Sequence, residues 1–250
     1  YLGIFAPKND NGITSLKNVK EISRQIDENF DIISLYIAWE KNIEPNFPQS
    51  LLDSIYMQKS IPMITWEPWL NSFESELNVN KHVFELIADG YFDNYLTSFA
   101  EKLKNLQRPV FLRFAHEFDN PFYPWYAGGE GGVEKFKKAW IHTYEIFKDI
   151  EANNVIWIWN PWKPENVASF YPGKEYVDWI GVNVLNYGLL NQDGQGHGFK
   201  ELYEPFHNEF SNLPSTPVII SEFGTLKDNQ KQDEWLVNAF ASIENEYKEI

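Results

Sequence analysis

Two glutamates stand where a buried strand gives way to a polar loop. Residues 109–115 are mostly apolar, and Glu117 follows them. Residues 217–224 read PVIISEFG, so Glu222 ends a second short apolar run and precedes a glycine. Paired carboxylates can divide the work of acid, base and nucleophile, which is the chemistry used to cleave glycosidic bonds. The two glutamates are therefore the first candidates for catalysis.

An aromatic cluster follows the first of these glutamates. Phe122, Tyr123, Trp125 and Tyr126 lie in the loop after Glu117, and aromatic residues make up 17% of the chain, with 10 Trp and 13 Tyr. Flat rings at a strand end favour a sugar-binding site. A capping glutamate beside a loop-packing aromatic cluster, in an aromatic-rich core, is the alternative interpretation of the same residues.

The glutamates are far apart in the chain, so a fold must bring the strand ends to one rim. Short apolar runs alternate with amphipathic segments, which predicts an α/β fold with parallel strands. Strands are predicted at 2–6, 31–39, 61–69, 109–115, 154–162, 177–188 and 217–222, with a turn at 9–12. Helices are predicted at 18–29, 48–58, 92–106, 133–150, 199–212 and 229–248, with an irregular insertion from 71 to 89. A (β/α)8 TIM barrel gathers strand ends in the required way.

Seven strands are predicted, one fewer than a closed barrel of this type contains. An open parallel edge would be an aggregation hazard, so we expect the eighth strand to be missing from the chain as given, with an irregular closure of the sheet as the alternative. We find no linker, low-complexity run or repeat of fixed period in the 250 residues, which predicts a single catalytic barrel domain over 1–250, incomplete at its C-terminus.

The ordered motifs resemble glycoside hydrolase family 26. The resemblance rests on HE after strand four, SFYPGKEYVDWIGVNVLNYG at 169–188 and SEFG after strand seven, and it covers roughly residues 3–240. It implies a retaining barrel enzyme acting on a β-linked polysaccharide, with Glu117 as acid/base and Glu222 as nucleophile. The family includes β-mannanases, mixed-linkage β-glucanases and β-1,3-xylanases.

The resemblance also implies supporting residues. His116 stands where most of the related families have Asn, and it would hydrogen-bond near the sugar or the nucleophile. Tyr187 would donate a hydrogen bond to Glu222, and Trp125 would form part of the sugar platform. The two-residue period of a strand independently places Arg113 on the face of Ala115 and Glu117, toward the barrel axis, where a buried ion pair is the alternative role.

Further strand-end residues are candidates for sugar contacts. Trp66, with Glu67 and Trp69, ends strand three, and Trp162 ends strand five. Each is equally well explained as rim packing. Asn183 near the end of strand six and Tyr123 in the aromatic loop complete the predicted substrate-binding set.

Composition excludes several classes of protein. The formal net charge of −15 would repel nucleic acid, and the absence of Cys removes thiol catalysis, thiolate metal sites and disulfides. No apolar run is long enough to span a membrane. His197 in the GQGHG loop shows no second ligand at metal-binding spacing, so no metal and no cofactor is predicted. We expect a monomer that is secreted or attached to the cell surface, with its signal peptide outside the given chain.

Together with the paired glutamates, the resemblance implies a retaining endo-β-glycanase that cleaves β-1,4 bonds. Asp119 and Asn120 replace the Asn-Gly pair frequent in mannanases, and FYPWY replaces a mannanase-like FWW pattern. Both differences favour mixed-linkage β-1,3-1,4-glucan over mannan. An endo-β-1,4-mannanase is the alternative activity, and a polysaccharide-binding barrel without turnover is the alternative from another class.

Overall fold

The computed structural model describes residues 1–8, 14–43, 47–73, 82–191, 193–227 and 231–250. Seven parallel strands form one sheet in the order of the chain, β1 to β7. Each strand therefore pairs with its sequence neighbour, as expected of successive strand–helix–strand units. The strands are β1 (Gly3–Ile4), β2 (Ile32–Ala38), β3 (Ile61–Glu67), β4 (Val110–Phe114), β5 (Val155–Trp159), β6 (Trp179–Asn186) and β7 (Val218–Thr225).

Helices connect the strands and cover the outer face of the sheet. Their spacing of apolar residues buries one side of each helix, for example Leu96, Phe99 and Leu103 of the fourth. The helices are α1 (Leu16–Ile26), α2 (Gln49–Met57), α3 (Val83–Ala88), α4 (Asp93–Leu106), α5 (Gly132–Asp149), α6 (Val167–Phe170), α7 (Phe199–Phe210) and α8 (Lys231–Asn245).

The sheet is curled rather than flat. Tyr36 in β2 and Glu222 in β7 are five strands apart, which would be about 24 Å in a flat sheet at the usual strand spacing. Their side chains nevertheless meet, with Tyr36 Oη 2.8 Å from Glu222 Oε1. The curl brings strand ends from opposite parts of the sheet to one rim.

The concave face of the curled sheet changes from apolar to polar along the strands. It carries a buried apolar layer of Ile32, Met63, Phe111 and Ile158, of which the first three lie in the amino-terminal halves of β2, β3 and β4. Two residues further along, β3 and β4 present Thr65 and Arg113 instead. The alternation of strand residues places these polar groups on the same inner face, toward the carboxyl ends.

The outer face carries the main hydrophobic core between sheet and helices. Trp66 of β3 is fully buried there, with its ring stacked 4.2 Å from that of Phe99 in α4. The prediction that Trp66 contacts sugar is therefore wrong. Alternation along β3 turns its neighbours Thr65 and Glu67 to the inner face and Trp66 to the helices.

The element boundaries agree closely with the sequence prediction. All seven predicted strands are present among the described residues, and the helices differ from prediction by up to a few residues at their ends. The short helix α6 was not predicted. The predicted turn at 9–12 and residues 74–81 of the insertion lie outside the described residues.

A cavity of about 950 Å³ lies between the two ends of the sheet. Its wall includes Ile4 of β1, Ile219 of β7 and, deeper, Met63 and Phe111 of the apolar inner layer. The cavity reaches this apolar layer, whose side chains are buried.

Candidate active site

Glu117 is held at the rim by an unusual backbone turn after β4. Ala115 and Glu117 both have positive φ, at 43° and 49°, which costs a non-glycine residue about 1–3 kcal/mol. The backbone N–H of Glu117 donates to the carbonyl of Asn160, which follows β5, at 2.8 Å. The turn, rather than the two-residue period of the strand, delivers the side chain of Glu117 to the inner rim.

The carboxylate of Glu117 accepts a hydrogen bond at each oxygen. Asn183 Nδ2 donates to Oε1 at 2.6 Å, and Asn120 Nδ2 donates to Oε2 at 2.7 Å. Burial raises the pKa of Glu117, the two amides and Arg113 lower it, and the negative charge of Glu222 raises it. The net shift is upward, which favours a protonated acid at a higher pH than is usual for glutamate.

Glu222 lies in β7 and is bound from the opposite side of the site. Its Oε1 accepts from Tyr36 Oη and from Arg113 Nη2, both at 2.8 Å, and its side chain is 24% exposed. A register shift between Val182 and Asn183 brings Asn183 opposite Glu222. Two donors, one of them a guanidinium, stabilise a carboxylate that remains partly open to solvent.

Arg113 connects the groups around both carboxylates. It is fully buried, and its three nitrogens donate to acceptors on five strands or strand ends. Besides Glu222 it contacts Thr65 at 2.9 Å, Tyr36 at 3.0 Å, and Asn160 and Asn183 at 3.1 Å. The predicted orientation toward the barrel axis is confirmed, and the guanidinium forms the buried ion pair that was considered as the alternative role.

His116 lies behind the site as a neutral ring. Burial, aided by the positive charge of Arg113, lowers the pKa of His116 well below its usual value. Its Nε2 is 3.1 Å from Tyr123 Oη, and its ring lies edge-on to Tyr36, with centroids 6.1 Å apart. His116 therefore supports the tyrosine that contacts Glu222, and its direct contact with a sugar remains a prediction.

The aromatic loop forms a wall whose outer ring is Tyr123. Trp125, expected in the sugar platform, is fully buried and donates from Nε1 to the carbonyl of His116 at 2.9 Å. Tyr123 stacks on it, with centroids 4.4 Å apart and planes 13° apart, and remains half-exposed. The prediction for Trp125 is wrong because Tyr123 covers its ring, whereas Tyr123 itself is accessible.

Trp162 lies on the rim, in a loop that is held by hydrogen bonds to Asp119. The Oδ1 of buried Asp119 accepts from the N–H of Trp162 at 2.7 Å, and its Oδ2 accepts from the N–H of Lys163 and from Asn166 Nδ2 at 3.0 Å. The Trp162 ring is half-buried and lies edge-on to exposed Phe122 at 6.4 Å. Trp162 therefore remains available to a ligand.

Tyr187 does not make the hydrogen bond expected of it. Its side chain is 49% exposed, and the described contacts of Glu222 come from Tyr36 and Arg113 instead. Burial of part of the ring raises the pKa of Tyr187, and the charges of Glu222 and Glu117 raise it further, so the phenol lies near both carboxylates. The hydrogen bond to Glu222 that was predicted for Tyr187 is made by Tyr36.

Sequence reasoning missed several residues of the site. Tyr36, Thr65, Asn120 and Asn160 all bind a carboxylate or Arg113. Tyr36 shares a face with Ile32 and Ser34 near the carboxyl end of β2, so strand alternation could have identified it. Glu67 was predicted as a candidate for sugar contact or for rim packing. Burial raises its pKa, and its Oε2 accepts from Trp69 Nε1 at 3.0 Å.

Neither a metal-binding cluster nor a membrane-spanning helix is found among the described residues. They contain no group of three or more His, Asp or Glu arranged to hold a metal ion, although Asp193 and Glu201 do flank His197, at 2.8 Å and 3.4 Å. The prediction that no acidic residue lies at ligand spacing from His197 was thus wrong. No helix in the described part of the chain has the length and apolar character to cross a membrane.

Comparison with known proteins identifies relatives by sequence and by fold. Endoglucanase H of Acetivibrio thermocellus is 28% identical over 247 residues, which are 95% of this chain and 25% of that protein. The β-1,3-xylanase TXYA of a Vibrio species is 26% identical over 120 residues, 44% of this chain and 25% of that one. The chain thus spans about a quarter of the length of these curated relatives.

A solved structure shows the same fold. The catalytic domain of an endo-β-1,4-mannanase from Bacillus sp. JAMB-750 superposes with a TM-score of 0.69 at 14% identity, covering 99% of this chain and 73% of that one. The curled seven-stranded sheet matches the (β/α)8 barrel of such neighbours, which confirms the predicted fold class. The model of glycosyl hydrolase family 26 matches residues 63–248, so the chain belongs to that family of two-glutamate glycoside hydrolases.

Proposed function

We propose that this protein is a retaining endo-β-glycanase in which Glu117 is the acid/base and Glu222 the nucleophile. One observation carries the proposal. The two carboxylates reach the same rim and share one hydrogen-bond network, from Glu117 through Asn183 and Arg113 to Glu222. Family membership adds that paired glutamates perform double displacement in related proteins.

In the first step, Glu222 attacks the anomeric carbon and Glu117 gives its proton to the departing glycosidic oxygen. The upward shift of the pKa of Glu117 suits this role, because the acid must hold its proton near neutral pH. Arg113 and Tyr36 orient Glu222 and stabilise its charge before attack. In the second step Glu117, now ionised, removes a proton from the water that releases the sugar from Glu222.

The proposed substrate is mixed-linkage β-1,3-1,4-glucan, cleaved at β-1,4 bonds. Support comes from the replacement of Asn-Gly by Asp119 and Asn120, and from the endoglucanase name of a relative aligned over 95% of this chain. The mannanase name of the structural neighbour favours β-1,4-mannan as the second candidate. The two polymers differ in the orientation of one hydroxyl at C2 of the sugar. Action on a polymer supports the predicted secreted or cell-surface location.

The catalytic roles are tested with Glu117→Ala and Glu222→Ala. Each is expected to lower kcat on a soluble β-glycan by at least about 100-fold, since each removes a group that participates in bond cleavage. Glu145→Ala on α5, which removes an ion pair with Lys148, is the matched control and should keep full activity. Circular dichroism verifies folding. Unchanged hydrolysis by both folded variants would refute the roles.

The substrate is tested with lichenan, glucomannan, galactomannan and β-1,3-xylan compared side by side. We expect the fastest release of reducing ends from lichenan, whereas a higher rate on galactomannan would establish the mannanase alternative. Proton NMR of the first product should show the β anomer, and an α anomer would exclude retention. Binding of these polymers without any release of reducing ends would identify a non-catalytic binding protein.

A further inference from the structure

The amide of Asn120 has only one possible orientation. Its Oδ1 accepts from the backbone N–H of Phe122 at 3.0 Å, and a peptide nitrogen can only donate. The other end of the amide, which is 2.7 Å from Glu117 Oε2, must therefore be the NH2 group. Asn120 is 7% exposed, so water offers little competition for these contacts.

The same logic orients Asn183 on the other oxygen of Glu117. Asn183 Oδ1 accepts from Arg113 Nη1, which carries only donors, so its NH2 group faces Glu117 Oε1. Both oxygens of Glu117 thus accept from amides that cannot flip. Such donors stabilise an ionised carboxyl more than a protonated one, so they lower the pKa of Glu117, which burial raises.

Other charged and titratable groups around Glu117 act through space. They come from four strands and from the segments after β4 and β6. They are Arg113 of β4, Glu222 of β7, His116 and Tyr123 after β4, Tyr187 after β6, and, around Arg113 and Glu222, Tyr36 of β2 and Glu67 of β3. Among the described residues, the side chains that donate hydrogen bonds to the Glu117 carboxylate are those of Asn120 and Asn183.

This inference rests on the proposed role of Glu117 as acid/base. We propose that Asn120 is a positioning residue that, by donating to Oε2 of Glu117, sets the pH above which the protein loses activity. The same hydrogen bond stabilises the carboxylate that must serve as base in the second step. Asn120 does not need to touch substrate for either effect.

The direction of the effect follows from the first step. Glu117 must be protonated to act as acid, so activity falls as pH rises through its pKa. Removing a donor to the carboxylate raises that pKa and moves the alkaline limb of the kcat/KM profile to higher pH. Loss of one hydrogen bond to a charged group corresponds to a displacement of this limb by about one pH unit.

Two substitutions at position 120 test this role. Asn120→Asp keeps an oxygen for the N–H of Phe122 but places a second carboxyl against Glu117 Oε2, so the pair shares a proton to higher pH. Asn120→Ala removes both contacts. We expect both variants to shift the alkaline limb upward by about one unit or more. Asn212→Ala, an exposed asparagine after α7, is the control and should keep the wild-type limb.

A structural role alone predicts a different result. Asn120→Ala would then lose activity equally at all pH values and keep the wild-type alkaline limb. Asn120→Asp raises the limb through its added carboxyl under either role, so it shows only that the limb reports Glu117. The proposal is overturned if folded Asn120→Ala retains the wild-type alkaline limb, and it is supported if that variant shifts the limb upward. Asn120→Leu, which has a similar shape and also lacks the donor, takes the place of Asn120→Ala if that variant does not fold.

A second measurement does not depend on turnover. The 13C carboxyl signal of Glu117, assigned by its loss in Glu117→Gln, should titrate at higher pH in the Asn120 variants than in wild type. If wild type cleaves none of the four polymers, the proposed function fails, and this titration still decides whether Asn120 controls Glu117. An unchanged titration in an active enzyme refutes the role of Asn120 alone.

Discussion

At the scale of single residues, the site depends on which tyrosine binds Glu222. Tyr187 and Tyr36 both lie near the carboxylates, but Tyr36 Oη is 2.8 Å from Glu222 Oε1 and 3.0 Å from Arg113 Nη2. Burial raises the pKa of Tyr36, and Arg113 opposes that effect only in part. The phenol therefore stays protonated and can donate to Glu222 throughout the working pH range.

Tyr36→Phe should consequently lower kcat by about 10- to 100-fold, the value of a hydrogen bond to a charged group. The ring and its packing are kept, so the melting temperature should change little. The comparison is Tyr187→Phe, for which we expect a smaller loss of kcat. A larger loss for Tyr187→Phe than for Tyr36→Phe would restore the assignment of Tyr187 as the donor to Glu222.

At the scale of elements, the position of a tryptophan on its strand decides its function. Trp66 lies within β3 on the outer face and stacks on Phe99, whereas Trp162 lies beyond β5 in a loop held by Asp119. The same side chain is core in the first place and rim in the second. Asp119 contributes by accepting two backbone N–H groups and an amide from the β5 loop, which keeps Trp162 beside the site.

Alanine substitutions at these two tryptophans should have opposite effects. Trp66→Ala removes a fully buried ring and is expected to cost about 3–5 kcal/mol of unfolding free energy in urea, with KM unchanged in the protein that remains folded. Trp162→Ala is expected to raise KM and to cost less than about 1 kcal/mol. A marked loss of stability for Trp162→Ala, or a raised KM for Trp66→Ala, would contradict the placement of that residue.

At the scale of the whole molecule, the curled sheet separates two environments on one inner face. The polar groups of the site lie toward the carboxyl ends of the strands, and the apolar layer of Ile32, Met63, Phe111 and Ile158 lies beneath them. The low-polarity layer strengthens the electrostatic interactions of Arg113 above it. The cavity between β1 and β7 borders this buried apolar layer.

The sequence by itself determined the order of elements and the identity of the two glutamates. Strand and helix patterns depend on nearby residues, so alternation and helical spacing were sufficient to predict seven strands. The Glu117 and Glu222 motifs stood out because a carboxylate after an apolar run is locally conspicuous. The roles of both glutamates remain proposals, and so does the single-domain organisation.

Only the tertiary structure decided which other side chains surround those glutamates. Tyr36 contacts Glu222 because the sheet curls, and Asn183 faces it because the register shifts after Val182. Trp125 is buried because Tyr123 stacks over it. Each of these contacts joins residues through the path of the backbone in three dimensions, which residue type and spacing do not specify. Local pattern identified the two glutamates, and the curl of the sheet selected the groups that bind them.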